Sequence, residues 1–269
     1  MHYLFKSIDV GYLTYYKLFG FFMKHTSFAT ITIALCLNLT SGAHAQSTVT
    51  WGVSAGMNKY TEANMKLVGP EMGLHARGVN VFPNTNWVLE GDVLLGRQNY
   101  TSTSTGSMRN VGNLETRWRV MGEIAPDTGW STGLALHTLW NDLQGIATDS
   151  SGNTYNGYQR SARQVWLPIR WTPTQASSFE LGTLITGKHT SALSQADPAA
   201  YTDITNKQKR GTYLQASVAL GLPNGDRLSP FVRLTHLSTS DVVTMGGKNW
   251  TEPNNHRVQT GVIWQFVSP

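Results

Sequence analysis

Between residues 49 and 266 apolar and polar side chains alternate one by one, segment after segment, and no other feature limits the fold so tightly. From Asn113 to Ile124 one parity reads Leu114, Thr116, Trp118, Val120, Gly122, Ile124. The other reads Asn113, Glu115, Arg117, Arg119, Met121, Glu123. A period of two belongs to a strand with one apolar face; a helix would space its apolar residues three and four apart. The pattern recurs about ten times. Trp51, Val53 and Met57 oppose Gly52, Ser54 and Gly56. Met72 and Leu74 oppose Glu71 and His75, and Trp87, Leu89, Val93 and Leu95 oppose Glu90, Asp92 and Gly96. Trp130, Leu134, Leu136 and Trp140 oppose Gly133, Ala135, His137 and Asn141, and Val165, Leu167, Ile169 and Trp171 oppose Gln164 and Arg170. Phe179, Leu181 and Ile185 oppose Glu180, Gly182 and Lys188. Leu214 opposes Tyr213 and Gln215, Val232 and Leu234 oppose Arg233, and Val258, Val262, Trp264 and Phe266 oppose Gln259 and Gly261.

The connections alternate too. Short ones carry turn residues: Pro83-Asn84-Thr85-Asn86, Pro126-Asp127-Thr128-Gly129, Thr172-Pro173-Thr174-Gln175 and Pro223-Asn224-Gly225-Asp226. Longer stretches rich in Ser, Thr, Gly and Asn fall near 60–69, 100–110, 143–157, 190–206 and 238–255. Short turns at one end and long loops at the other are the layout of a transmembrane β-barrel of a bacterial outer membrane. The expectation is an all-β fold: one antiparallel barrel of about ten strands, with eight or twelve as neighbouring counts, spanning residues 46–269. Both barrel termini then face the periplasm. A periplasmic β-sandwich is the soluble alternative.

Composition decides between membrane classes. Mean hydropathy is −0.24 with 40% hydrophobic residues, and no stretch after Gln46 approaches the roughly 20 apolar residues of a spanning helix. Yet 26 Gly, 9 Trp and 10 Tyr are unusual for a soluble α/β enzyme. A barrel reconciles these, because only one face of each strand has to be apolar. Aromatic residues at the ends of the apolar face, among them Phe82, Trp87, Trp130, Trp140, Trp171, Phe179, Trp264 and Phe266, read as headgroup girdles.

Upstream of the barrel, Met23-Lys24-His25, the apolar run Phe28 to Leu39 and Ala43-His44-Ala45 make a secretory signal over residues 1–45, cleaved near Ala45. Met23 begins a complete signal by itself. Cys36, the single cysteine, lies inside it, so the mature chain has neither disulfides nor thiolate metal sites. Removing Lys6, Lys17, Lys24 and Asp9 takes the formal charge from +5 to +3, too mild and dispersed for nucleic acid.

The polar parity would line the lumen with Glu71, Glu90, Asp92, Glu115, Glu123 and Glu180 against Arg77, Arg117, Arg119, Arg170, Lys188 and Arg233. Nearly balanced charges in a narrow barrel point to a salt-bridged interior, with little bore left for a channel. His75 and His137 point inward by the same parity and read as polar core residues.

One segment, Val232-Arg233-Leu234-Thr235-His236-Leu237-Ser238, puts His236 and Ser238 two apart on one strand face. A serine beside a histidine base is the minimum for attack on an ester. These residues resemble the Val-Arg-x-x-His-x-Ser-Asn segment of lipid A deacylases of the PagL type. The resemblance implies an outer-leaflet ester hydrolase with Ser238 as nucleophile and His236 as base. Thr239 replaces that family's Asn, and Arg257 and Val258 stand where its closing strand carries an acid. Asp241 and Glu252 are the loop carboxylates left to take the part. Over most of the barrel, Tyr60, Glu62 and Met65, the Trp140-Asn141-Asp142-Leu143 stretch, Ser229-Pro230-Phe231-Val232 and Glu252-Pro253-Asn254 resemble small uncharacterised outer-membrane barrels of proteobacteria. That resemblance implies fold and location, with no activity. The paired aspartates and Asp-x-His dyad of omptin proteases are absent.

The first functional expectation is therefore a barrel of structural or surface-loop binding role, without catalysis. An ester hydrolase using His236 and Ser238 is the second, and a narrow channel the third. Expected partners are outer-membrane lipids, lipopolysaccharide and the barrel-assembly machinery, with no cofactor, metal or nucleic acid.

Overall fold

The computed structural model describes residues 48–79, 86–125 and 127–266. The expected signal, Phe82, the turn at 83–85 and the chain end after Phe266 lie outside the described residues. In chain order the strands are β1 (Thr48–Glu62), β2 (Met65–Val79), β3 (Val88–Ser102), β4 (Gly106–Glu123), β5 (Trp130–Asp142), β6 (Ile146–Thr148), β7 (Thr154–Asn156) and β8 (Gln159–Trp171). They continue as β9 (Ser177–Ser191), β10 (Ile204–Gln208), β11 (Gly211–Val218), β12 (Leu220–Gly221), β13 (Arg227–Leu237), β14 (Val243–Met245), β15 (Lys248–Trp250) and β16 (Asn255–Phe266).

The sheet runs β3-β2-β1-β16-β13-β11-β9-β8-β5-β4, and β4 pairs back onto β3. Every pairing is antiparallel and the sheet closes into a barrel of ten staves, with β10 and β11 sharing one stave. Closure gives each main stave a hydrogen-bonded neighbour on both sides, while the short strands β7, β10 and β12 pair on one side only. The alternating sequence fixes which face is which. Met72 (70% exposed) and Leu74 (65% exposed) look outward beside Leu134, Leu181 and Leu214, whereas Glu71, Arg119, Glu180 and Arg233 are buried in the lumen. A soluble sandwich would reverse this, burying the apolar face. At one end of the outer wall Trp130, Trp171 and Phe179 stack in series, with centroids 5.9 Å apart at each step.

The short-turn end follows expectation. Asp127 (φ 60°) and Gly129 (φ 73°) supply the left-handed backbone of one turn and Gly225 (φ 88°) that of another. At the other end, two of the five expected loops are not loops. β1 runs to Glu62 and β2 restarts at Met65; β3 runs to Ser102 and β4 restarts at Gly106. The tips of these staves build a core of their own. Met65, Leu67, Val111 and Leu143 are buried together, with Tyr60, Tyr100 and Met108 packed against them. The small β6–β7 hairpin joins this rim through Ser107 and Thr148, and β14 pairs with β15 to form a second hairpin.

A second correction concerns β9. Val165 pairs with Thr186 but Trp166 with Leu184, so Ile185 is an extra residue on that stave. One extra residue reverses the facing of everything beyond it. Lys188 is therefore exposed on the outer wall, and Gly187 and His189 turn inward instead.

Candidate functional site

Charged and polar side chains meet in the lumen in three tiers. Nearest the short-turn end, Glu90 accepts hydrogen bonds from Arg77 Nε (3.1 Å) and from Arg170 Nη1 and Nη2 (2.7 and 2.6 Å). Glu180 accepts from Arg170 Nε (2.8 Å) and from the Tyr213 hydroxyl (2.6 Å). Arg119 ties the group together, reaching Glu90 (3.1 Å), Asp92 (2.9 Å) and Glu180 (3.4 Å). Asp92 also meets His75 Nδ1 at 2.7 Å. Each carboxylate faces at least two cationic or hydrogen-bonding neighbours, the condition under which buried charge is tolerated.

The middle tier joins distant staves. Arg117 donates to Glu115 (2.6 Å) and to Gln259, whose Nε2 in turn donates to Glu71 (2.9 Å) and Glu115 (3.1 Å). Arg257 pairs with Glu115 at 2.6 Å and donates to Asn58 at 3.0 Å. Toward the long-loop end, Arg160 binds Glu62 (3.0 Å) and Glu252, while His189 Nδ1 stands 3.1 Å from Glu252. Tyr60 donates to Glu62 at 2.7 Å. Glu252 arrives from the loop before β16, so this tier also anchors that loop across the barrel mouth.

One side of the lumen is apolar. Ala135, Trp166, Leu184, Tyr213 and Leu237 cluster there, and His137 lies 5.6 Å from the rings of both Trp166 and Tyr213. The Arg233 guanidinium rests 4.8 Å over the Tyr213 ring and 3.9 Å from Glu180. Gly182 makes this packing fit, because a Cβ there would overlap the Tyr213 ring.

Most of the expected inward set is thus inward and paired: Glu71, Glu90, Asp92, Glu115, Glu180, Arg77, Arg117, Arg119 and Arg170. Glu123 instead sits at the short-turn rim, accepting from Asn86 (2.7 Å) and from the Asp127 backbone (3.1 Å). Not assigned to the lumen from sequence were Arg160, His189 and Glu252 (read there only as a loop carboxylate), from three separate segments, and Trp166, the most buried tryptophan, on the polar parity of β8.

His236 and Ser238 lie where β13 leaves the wall. His236 stacks on His256 of β16 at 4.5 Å and 28° between planes, and its Nδ1 is buried without a hydrogen-bond partner. The Ser238 backbone donates to Arg210 O (3.1 Å), and no side-chain hydrogen bond joins Ser238 to His236 among the described residues. Both loop carboxylates are engaged elsewhere, Glu252 with Arg160 and Asp241 with the Lys207 backbone N–H (2.6 Å).

No family model matches this chain, and no curated protein matches it. Solved structures similar in shape are bacterial outer-membrane barrels. The outer membrane protease OmpT from Escherichia coli is 8% identical with TM-score 0.41, covering 82% of this chain and 96% of its own. The translocator domain of the autotransporter NalP from Neisseria meningitidis is 10% identical with TM-score 0.47, covering 90% and 98%. An outer membrane channel from Pseudomonas putida F1 is 13% identical with TM-score 0.39, covering 81% and 96%. A protease, a translocator and a channel at such distances carry no inference about activity.

Proposed function

We propose that this chain is an integral outer-membrane barrel whose interior is a packed ion-pair core, and that it acts through its outer wall and long-loop face. The observation that carries this reading is the inversion of burial. Leucines, isoleucines and methionines cover the outside, while Glu71, Glu115, Glu180, Arg117 and Arg233 are nearly inaccessible within. Such a surface is stable only against hydrocarbon. The height fits as well. Trp130 and Trp140 mark the two ends of the outward face of β5, ten residues apart. That is about 33 Å of strand, or about 25 Å of height at a tilt near 40°.

Paired side chains reach across the lumen between distant staves in three tiers, which favours a closed barrel over a channel. The test is refolding of the mature chain, residues 46–269, into phosphatidylcholine vesicles. Unboiled protein should migrate differently from boiled protein on a gel and resist added protease except at the long loops. Identical migration with complete digestion would overturn the membrane reading.

A further inference from the structure

Strand pairing aligns three cations on the outside of the barrel. Arg163 of β8 stands directly opposite Lys188 of β9, and Lys188 directly opposite Lys207 of β10. All three are exposed, and no carboxylate lies within ion-pair distance of any of them among the described residues. Like charges directly opposite in neighbouring strands repel. The adjacent acid, Asp241, turns its carboxylate to the Lys207 backbone N–H and leaves the ammonium unpaired.

The surroundings grade along the staves. Toward the short-turn end the exposed outward residues are Leu167, Ile169, Leu181, Ile185 and Leu214, interleaved with Thr183, Thr186 and Thr212 on the rungs nearest the cations. Toward the long-loop end the next outward rung is Ser161, Thr190 and Thr205, with Thr190 and Thr205 hydrogen-bonded at 2.9 Å. Trp140 is level with that hydroxyl rung, opposite Ser161, and Arg163 is opposite Thr138 just below it. The cations therefore stand between a hydroxyl rung on the long-loop side and mixed threonine and leucine rungs that give way to Ile169, Leu181 and Leu214.

We infer that Arg163, Lys188 and Lys207 form a binding site for a phosphate-bearing lipid of the outer leaflet, with its phosphates across the cation row and its acyl chains along Leu167, Ile185 and Leu214. The inference rests on the membrane reading above. Charge and geometry select this occupant. Three cations at strand spacing match a headgroup with more than one phosphate charge, hydroxyls on either side can meet its polar part, and Leu167, Ile185, Ile169, Leu181 and Leu214 further down the wall suit hydrocarbon.

The test uses full-length mature barrel refolded into phosphatidylcholine vesicles containing a small fraction of purified lipid A. Retained lipid is counted by native mass spectrometry after gentle detergent extraction. The variant is Arg163→Gln/Lys188→Gln/Lys207→Gln, and the control is Lys59→Gln/Lys66→Gln/Arg97→Gln, which removes the same charge from β1, β2 and β3. The row variant should bind on the order of a hundredfold more weakly, since each cation near an anionic surface contributes appreciably, while the control should stay within a few-fold of wild type. Equal binding by wild type and row variant, equal loss in both variants, or full displacement of lipid by inorganic phosphate would overturn the inference and leave the barrel intact. Failure of wild type to insert would instead overturn the membrane reading, and this site with it.

Discussion

Arginine and lysine meet opposite circumstances on the two faces of this barrel wall. Inside, Arg119 touches three carboxylates and Arg170 two, from staves far apart in sequence. Outside, Arg163, Lys188 and Lys207 face one another with no acid between them. In the lumen a charge is tolerated only when hydrogen-bonded partners replace lost water, so the interior acts as a core made of ions. On the wall, in the proposed membrane setting, the side chains would reach headgroups and water, so their arrangement is free to serve a ligand. The same residue types thus hold the structure on one face and are available for recognition on the other.

That contrast breaks most visibly in the lowest tier. Glu180→Ala strips Arg170 and Arg119 of a shared partner and frees the Tyr213 hydroxyl. It should cost about 3–5 kcal/mol, the range for removing one member of a buried charge network. Urea unfolding from vesicles, followed by tryptophan fluorescence, reads the loss. A cost below about 1 kcal/mol would put the network's contribution at the level of surface pairs. Glu252→Ala should cost less, about 2 kcal/mol, because Arg160 keeps Glu62. Proteolysis should then cut the loop before β16 sooner than in wild type.

On the outer face the sign reverses. Lys188→Gln removes two like-charge oppositions and should leave stability in neutral detergent unchanged or raised by less than about 0.5 kcal/mol. Destabilisation beyond that would show an unrecognised partner for Lys188. The smallest effect is assigned to Ser238→Ala. With no side-chain hydrogen bond between Ser238 and His236, lipid A from cells expressing wild type or variant should have the same acyl profile by mass spectrometry. Loss of one acyl chain in wild type alone would establish the hydrolase reading.

The barrel itself was legible because alternation states both the strand and its inward face. Glu90, Asp92, Glu115, Arg119 and Glu180 could be assigned to the lumen from parity alone. Four things were hidden for physical reasons. A single extra residue at Ile185 carries no compositional mark, yet it moves Lys188 from lumen to wall. Without register, Arg163, Lys188 and Lys207 are scattered cations, and pairing across β8, β9 and β10 is what makes them a row. The long-loop tier of Arg160, Glu62, Glu252 and His189 was likewise invisible, since its members come from four segments and meet only on closure. The extended tips of β1 to β4 looked like loops by composition, and burial of Leu67 against Val111 and Leu143 explains why they are strands.

The proposed closure of the lumen by its own charged core is tested most directly by planar-bilayer recording. With insertion verified by the gel shift, wild-type barrel should show no steady open level at any applied voltage. A stable, voltage-independent conductance from the folded protein would contradict it.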